Sequence, residues 1–104
     1  MKLRRSRKKN NADAEYLLYS ALAVIQTAEE AKNFLADLCT PAEIQEMADR
    51  WLTVIAVKQE KPYRQIYKET GVSVTTIGRV ARCLRLGKGY NLIFNRLIKK
   101  KIDL

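Results

Sequence analysis

The chain has no histidine, and its two cysteines, Cys39 and Cys83, lie far apart without a C-x-x-C pair. Histidine is the usual acid, base and metal ligand near neutral pH, so its absence excludes Ser-His triads and nearly all zinc sites. We therefore predict no enzyme activity, no metal and no cofactor. Unpaired thiols fit the reducing cytoplasm, although the sequence leaves open two small buried thiols or a disulfide between them.

Proline and glycine are also scarce, at two and four residues. The chain has no Asn-Gly or Gly-Xaa turn of the kind that connects the strands of a β-hairpin. This scarcity favours helices over strands. The apolar run YLLYSALAVI has only ten residues, which is too short to cross a bilayer, and it lacks an A-x-A-like cleavage site. We expect an all-helical protein that is neither exported nor anchored in a membrane.

Acidic residues are unevenly placed along the chain. Residues 1 to 9 carry six bases and no acid, residues 10 to 60 carry three bases and nine acids, and residues 61 to 104 carry eleven bases and two acids. The net charge is +9. Two separate basic parts predict contact with a polyanion, while the acidic middle serves another purpose.

With 104 residues, the chain has room for one domain. Residues 1 to 11 are predicted to be a disordered basic arm, because nothing there can bury apolar surface. Residues 12 to 104 are predicted to form a single helical domain. Since residues 16 to 25 are apolar around nearly the whole circumference of a helix, a second copy of the chain is their expected cover.

Two capping boxes predict where the next helices begin. Thr27 with Glu30 opens one helix, and Thr40 with Glu43 opens another, in which Pro41 takes the first position that needs no N–H donor. This long helix, about 41 to 59, carries an apolar stripe that we expect to pack against the rest of the domain. The stripe comprises Ile44, Met47, Ala48, Trp51 and Ile55, broadened by Leu52 and Val54.

Residues 62 to 84 have the spacing of a helix-turn-helix, with helices expected from Pro62 to Glu69 and from 74 to 84. Ile66 is the expected core residue of the first helix, Gly71 permits a turn at positive φ, and Val72 fills the angle. Ile77 and Val80 are expected to pack the second helix onto the first. A plain helical corner has similar spacing, so both interpretations stay open. After the LGKG break at 86 to 89, a last amphipathic helix brings the total to about six.

The second helix has two unlike faces. One face is an apolar stripe of Val74, Ile77, Val80, Ala81 and Leu84. The other carries Thr75, Thr76, Arg79, Arg82 and Cys83. No Asp or Glu lies between Thr70 and Lys101, whereas an ordinary solvated face mixes both signs, so this face favours nucleic acid. Short residues near its start can approach base edges, and the arginines can reach guanine or phosphate.

Three linked stretches resemble the tryptophan repressor superfamily, and most closely its YerC/YecD branch: LCTPAEIQEMADRW, KPYRQIYKETGVSVTTIGRV and RCLRLGKGYNLIF. The resemblance covers about residues 15 to 98. It implies an all-helical, intertwined homodimer whose two helix-turn-helix heads enter successive major grooves of double-stranded DNA. It also implies that the basic arm touches DNA.

The resemblance implies DNA contacts at Arg64, Tyr67, Val74, Thr75, Thr76 and Gly78. The pattern of the second helix adds Ser73, which is also its expected N-cap, and the two arginines Arg79 and Arg82. For Tyr67, partial burial is the alternative interpretation.

The family's effector pocket corresponds here to Arg50, Arg79, Val80 and Cys83. Val80 follows Arg79 where the tryptophan-binding repressor has glycine, Arg50 aligns only with a one-residue gap, and Cys83 replaces a serine. These departures argue against tryptophan as corepressor and leave another effector or none.

The sequence thus predicts a homodimeric, sequence-specific DNA-binding transcriptional regulator, by resemblance a repressor, in the bacterial cytoplasm at the nucleoid. The alternative is a basic accessory protein of the nucleoid, of RNA or of the ribosome that does not regulate particular sequences. An adaptor whose helix-turn-helix binds another protein is less favoured, because residues 71 to 101 contain no acid.

Overall fold

A computed structural model of the chain describes residues 10 to 104, so the predicted disorder of residues 1 to 9 lies outside the described residues. The described part has six α-helices and no strand, which confirms the all-α prediction. The helices are α1 Asn11–Ala23, α2 Ala28–Leu38, α3 Pro41–Lys58, α4 Tyr63–Thr70, α5 Val74–Leu86 and α6 Gly89–Lys99.

The described residues group into two compact units that divide between Thr40 and Pro41. The single domain expected for residues 12 to 104 stays a prediction. Between residues 10 and 104, none of the helices combines the length and the apolar character needed to cross a membrane.

Helix α1 begins at a side-chain cap and leaves its apolar residues uncovered. The Asn10 side chain accepts a hydrogen bond from Asp13 N at 2.8 Å, so the helix starts one residue earlier than predicted and takes in the end of the expected arm. No residue of α1 is buried, and Leu22 and Val24 are 41% and 74% exposed. The predicted burial on several sides is therefore not provided within the first unit.

Helix α2 begins with the predicted capping box in a shifted form. Thr27 Oγ1 accepts from Glu30 N at 3.1 Å, as expected. The Glu30 carboxylate, however, accepts from Gln26 N at 2.9 Å, one residue before the cap. The first bond satisfies an N–H group that the first helical turn leaves without an intrahelical partner, and the second fixes the backbone just before the cap.

Helix α3 starts at Pro41, as predicted, and ends in a Schellman motif. Lys61 N donates to Ala56 O at 3.1 Å and Glu60 N donates to Val57 O at 2.9 Å. Glu60 takes the left-handed position of the motif with φ 61°, where glycine is the usual residue. The motif turns the chain sharply into α4.

The core of the second unit is formed by α3, α4 and α5. Ile66 of α4 and Ile77 of α5 are fully buried against Ala56 of α3, and Val57 and Val72 pack partly buried around them. Val80 and Ala81 are also buried. The predicted core roles of Ile66, Val72, Ile77 and Val80 are confirmed.

The predicted packing stripe of α3 is only partly correct. The buried residues of α3 are Thr53, Val54 and Ala56, whereas Met47 and Leu52 are 39% and 52% exposed. Only Val54 of the predicted set is buried, because α4 and α5 lie against a different face, in the second half of the helix. Thr53 satisfies its buried hydroxyl by donating to Asp49 O at 2.8 Å.

The turn between α4 and α5 is held by backbone and side-chain bonds together. Gly71 has φ 75° and donates its N–H to Tyr67 O at 2.9 Å. Thr70 Oγ1 donates to Ile66 O at 2.8 Å and accepts from Val72 N at 3.2 Å. The predicted turn at Gly71 is confirmed, and α4 runs one residue past its predicted end at Glu69.

The start and the end of α4 are tied to each other through Glu69. Its carboxylate accepts from the Gln65 amide at 2.9 Å and pairs with Lys61 Nζ at 3.0 Å. The Gln65 hydrogen bond, followed by Lys61, holds the pKa of Glu69 below its ordinary value. Because the Lys61 and Glu69 side chains are 34% and 45% exposed, this ion pair stabilises the helix-turn-helix only slightly.

Helix α6 packs on the same unit through polar and aromatic contacts. Asn91 Nδ2 donates to Leu84 O at 2.8 Å, and its Oδ1 accepts from Lys58 Nζ at 3.2 Å. The Trp51 and Tyr90 rings lie 6.2 Å apart between centroids, tilted by 50°. The break before α6 is narrower than predicted, since Leu86 ends α5 and Gly89 begins α6.

We predict that Gly71→Ala lowers the free energy of unfolding by about 1–2 kcal/mol, the cost of a left-handed L-residue. A Cβ at Gly71 has no atom within 4 Å to meet, so the loss is due to backbone strain alone. Gly78→Ala is the matched control. It also adds an unobstructed Cβ, but within a helix, and should raise stability by about 0.5–1 kcal/mol. Urea unfolding followed by circular dichroism at equal chain concentration measures both, and a Gly71→Ala protein as stable as the wild type contradicts the prediction.

Candidate nucleic-acid interface

Helix α5 begins with a capped turn that leaves its first residues accessible. Ser73 Oγ accepts from Thr76 N at 3.1 Å, which confirms Ser73 as the N-cap. The same hydroxyl donates a hydrogen bond to Thr76 Oγ1 at 3.1 Å. Ser73 and Thr75 are exposed and Thr76 is half-buried. The Ser73 hydroxyl therefore holds the first turn of α5 in place.

Val74 lies on the accessible face and not in the core stripe. Its side chain is 60% exposed, so its assignment to the apolar packing stripe is wrong. The reason is positional, because Val74 is the first residue of α5 and the packing on α4 begins one turn later, at Ile77. An exposed valine at a helix start remains suited to contact with a thymine methyl group.

Two of the three arginines of α5 are exposed, opposite its buried side, and have no acidic partner among the described residues. Arg79 and Arg82 are exposed, while Ile77, Val80 and Ala81 on the opposite side are buried. No ion pair or hydrogen bond within residues 10 to 104 engages either guanidinium. The two positive charges are therefore available to an external anion.

Helix α4 adds two further accessible side chains beside α5. Arg64 is exposed and, within the part of the chain that the structure describes, unpaired. Tyr67 is 53% exposed, so about half of its surface is accessible to an external molecule. Both residues occupy α4, which packs directly on α5.

Gly78 is not required by packing inside the molecule. A Cβ built at this position meets no atom within 4 Å, and the residue is half-buried in the middle of α5. Glycine within a helix costs about 1 kcal/mol relative to alanine. Packing among the described residues therefore does not explain the glycine at this position.

The four residues predicted for an effector pocket line one cavity. Its volume is about 190 Å³, and its lining consists of Arg50, Thr76, Arg79, Val80, Cys83 and Tyr90. Val80 is 2% exposed and forms part of the wall. The structure thus brings together a set of residues that are distant in sequence, on α3, α5 and α6.

Two neighbouring hollows share residues with this cavity. One, of about 220 Å³, is lined by Met47, Arg50, Trp51 and Tyr90. The other, of about 370 Å³, runs along the end of α5 and is lined by Arg79, Arg82, Cys83, Leu86 and Gly87. Arg79 therefore borders both the cavity and the outer groove.

Met47, Trp51 and Tyr90 were not predicted as site residues. Met47 and Trp51 have the spacing of an ordinary packing stripe, and Tyr90 follows a helix break far along the chain. The only sequence signal was that Met47, Arg50 and Trp51 occupy adjacent turns of one helix face. Their proximity to Tyr90 depends on how α6 packs, which periodicity does not reveal.

Cys83 is exposed and Cys39 is half-buried, and both thiols are free. The interpretation that both are small buried residues is therefore wrong for Cys83, whose side chain borders open hollows on both sides of α5. The disulfide that the sequence left open is not formed. Within residues 10 to 104, no group of three or more metal-ligating side chains comes together.

The fold and this face define a helix-turn-helix protein, in which α4 and the Gly71 turn support an accessible, acid-free second helix. The chain belongs to the Trp repressor family, since the family model described as Trp repressor protein matches residues 15 to 98. Membership in this family suggests a helix-turn-helix DNA-binding regulator, and both family and fold are those of regulators and not of an enzyme class.

Individual proteins support the assignment. The chain is 36% identical over 81 residues to the uncharacterized protein YerC of Bacillus subtilis, covering 77% of this chain and 78% of that protein. A TrpR-like protein from Eubacterium eligens has a TM-score of 0.76 at 33% identity, covering 84% of this chain and 91% of that one. A putative Trp repressor from Staphylococcus aureus has a TM-score of 0.74 at 36% identity, covering 82% and 86%.

Proposed function

We propose that this protein is a sequence-specific transcriptional regulator that binds double-stranded DNA through α5 in the major groove. The observation that carries the proposal is the exposed, acid-free face of α5, where Arg79 and Arg82 are unpaired among the described residues. Such a face attracts phosphate, and base edges lie within reach of a helix in the major groove. The buried opposite side holds the helix in one orientation.

The length and position of each side chain indicate whether it is proposed to contact bases or the DNA backbone. Val74, Thr75, Thr76 and Gly78 are short and lie toward the start of α5, where a recognition helix approaches base edges. Arg79 and Arg82 are long and reach guanine or phosphate. Arg64 and Tyr67 on α4 are proposed to contact the DNA backbone, which sets the register of the head on the duplex.

We further propose that the active form is a homodimer. Helix α1 has no buried residue within one copy, and Leu92, Ile93 and Ile98 of α6 are about half exposed. Apolar surface on several helices of so small a chain is typical of a subunit that is covered by a partner. Two identical heads suit a two-fold operator with half-sites about one helical turn apart.

We propose that the protein acts as a repressor. Its proposed location is the cytoplasm, at the nucleoid. The Trp repressor family and the putative Trp repressor of Staphylococcus aureus favour it. A small effector is proposed to bind at Arg50, Arg79, Val80 and Cys83. Since the buried Val80 side chain forms part of that cavity wall, tryptophan is not the proposed effector.

We predict that Arg82→Ala changes sequence preference, whereas Lys9→Ala weakens binding to all sequences alike. Loss of a base contact removes about 1–3 kcal/mol of discrimination against the wrong base. Loss of a phosphate contact lowers the slope of log affinity against log salt concentration by about one. The measurement is selection from a random DNA pool followed by titration of the selected duplex at several salt concentrations. A wild-type protein that selects no sequence would indicate instead a basic nucleoid, RNA or ribosome accessory protein, for which the exposed Lys99, Lys100 and Lys101 are the main contacts.

Gly78→Ala is expected to weaken DNA binding about tenfold, because an added methyl group at a close contact costs about 1–2 kcal/mol. The same variant is expected to be more stable, so a loss of affinity is not explained by unfolding. Gly89→Ala is the matched control, since its added Cβ also meets nothing within 4 Å but lies at the start of α6. Equal affinities of Gly78→Ala and wild type for the selected duplex would remove Gly78 from the proposed interface.

Leu22→Glu is expected to shift the protein from dimer to monomer, because it places a charge in the apolar surface of α1. Asn33→Glu introduces the same charge at an exposed polar position of α2 and should leave the dimer intact. Sedimentation equilibrium at micromolar concentration measures the mass. A wild-type protein that sediments with the mass of one chain would contradict the homodimer.

A further inference from the structure

Four positively charged side chains lie together at the end of α6. Arg96 and Lys99 occupy the last turn of the helix, and Lys100 and Lys101 follow directly. All four are exposed, and none has an ion-pair or hydrogen-bond partner between residues 10 and 104. We call them the α6 basic cluster. Because Asp103 is the one acidic residue nearby in sequence, the cluster keeps an excess of positive charge.

The chain beyond α6 turns back in a defined way, which holds the α6 basic cluster in one place. Lys101 N donates to Ile98 O at 2.9 Å, and Ile102 N donates to Leu97 O at 3.1 Å. Lys101 has φ 59°, which is the left-handed position of a Schellman motif. The chain then returns to the second unit, where Leu104 lines a cavity of about 240 Å³. The lysines are therefore part of a defined turn.

The cavity that Leu104 lines is on the opposite side of α3 from Arg79 of α5. Its walls include Leu52, Ile55 and Gln59 of α3, whereas Arg79 shares a different cavity with Arg50. At about 100° per residue, the three cavity residues lie roughly 140–200° around α3 from Arg50. The returning chain and the arginine-bearing part of α5 therefore meet α3 on different sides.

The α6 basic cluster stays close to the returning chain. Lys101 is three residues from Leu104, and three residues span at most about 11 Å. An α-helix with its side chains is about 10–12 Å across, so α3 separates the cluster from the side on which Arg79 lies. One straight duplex that follows α5 does not reach both places, and the cluster is available to a separate anion.

The residue types of the α6 basic cluster favour duplex phosphates as its partner. Lysine is a point charge on a flexible stem, which contacts phosphate without reading a base. Proteins that hold single-stranded nucleic acid usually stack bases on aromatic side chains as well. Residues 95 to 104 contain no aromatic side chain. Adjacent unpaired cations without a stacking surface are typical of contact with the backbone of a double strand.

We infer that the α6 basic cluster is a second DNA-binding surface, which holds the phosphate backbone of a duplex segment other than the one bound by α5. The protein thereby joins two segments of double-stranded DNA, one chosen by sequence and one held by charge alone. The inference rests on the proposed DNA binding through α5 and adds a second partner segment to it.

The first test measures bridging with the full-length protein and two duplexes. The duplex selected from the random pool is fixed to beads, and an unrelated labelled duplex is free in solution. We expect the protein to retain the labelled duplex on the beads, and retention to fall steeply with salt because phosphate contacts release counterions. No retention at low salt, or stronger retention of a labelled single strand of the same length, would overturn the inference.

Two triple variants form a matched pair for this measurement. Lys99→Gln/Lys100→Gln/Lys101→Gln removes three charges, and Lys99→Arg/Lys100→Arg/Lys101→Arg keeps them. The glutamine variant is expected to retain at least about tenfold less labelled duplex, with a salt slope lower by about two to three, and the arginine variant to behave like the wild type. Thermal unfolding followed by circular dichroism checks that both variants fold. Equal retention by the glutamine variant and the wild type would overturn the assignment to this cluster.

The affinity for the selected duplex alone decides whether the cluster contacts a second segment. We expect the glutamine variant to bind this duplex within about twofold of the wild type, since α5 is unchanged. A loss as large as the loss of retention would place the cluster on the same duplex as α5 and overturn the inference.

Failure of the proposed function gives a different result. A wild-type protein that selects no sequence would refute sequence-specific regulation. Titration of the unrelated duplex then still tests the cluster. Weaker binding by the glutamine variant than by the arginine variant would support a DNA-binding surface at the end of α6, and equal binding would overturn it.

Discussion

The contact of Ile66 with Ile77 over the small side chain of Ala56 is the interaction on which the head depends. Both isoleucines are fully buried, and burying such a side chain contributes about 1.5–3 kcal/mol. Ala56 lets α4 and α5 approach α3 closely, and Gly71 at φ 75° lets the chain reverse between them. With one side of α5 held in this way, its other side has a defined orientation.

The exposed parts of α4 and α5 carry unpaired positive charge. Arg64, Arg79 and Arg82 are exposed and have no anionic partner among the described residues. Repulsion between these like charges opposes folding slightly. A bound polyanion would replace this repulsion with attraction. Arg79 is distinguished from the other two because it also borders the inner cavity.

The helices outside the buried core leave apolar side chains exposed. The buried core lies in the second unit, on α3, α4 and α5, and α1, α2 and α6 contain no buried residue. Secondary structure alone satisfies backbone hydrogen bonds but does not remove apolar side chains from water. Leucine side chains on α1 and leucine and isoleucine side chains on α6 therefore stay exposed, and this exposure is the physical basis of the proposed dimer.

Local signals in the sequence determined where helices begin and turn. The caps at Thr27 and Ser73 and the turn at Gly71 were predicted because their hydrogen bonds and backbone angles involve residues at most a few positions apart. The family motifs likewise predicted the helix-turn-helix and the residues that are proposed to contact DNA. Only the tertiary structure decided which face of a helix was buried. Periodicity detects an apolar face but not the helix that covers it, so the stripe of α3, the exposure of Val74 and Cys83, and the meeting of Trp51 with Tyr90 depended on packing between distant segments.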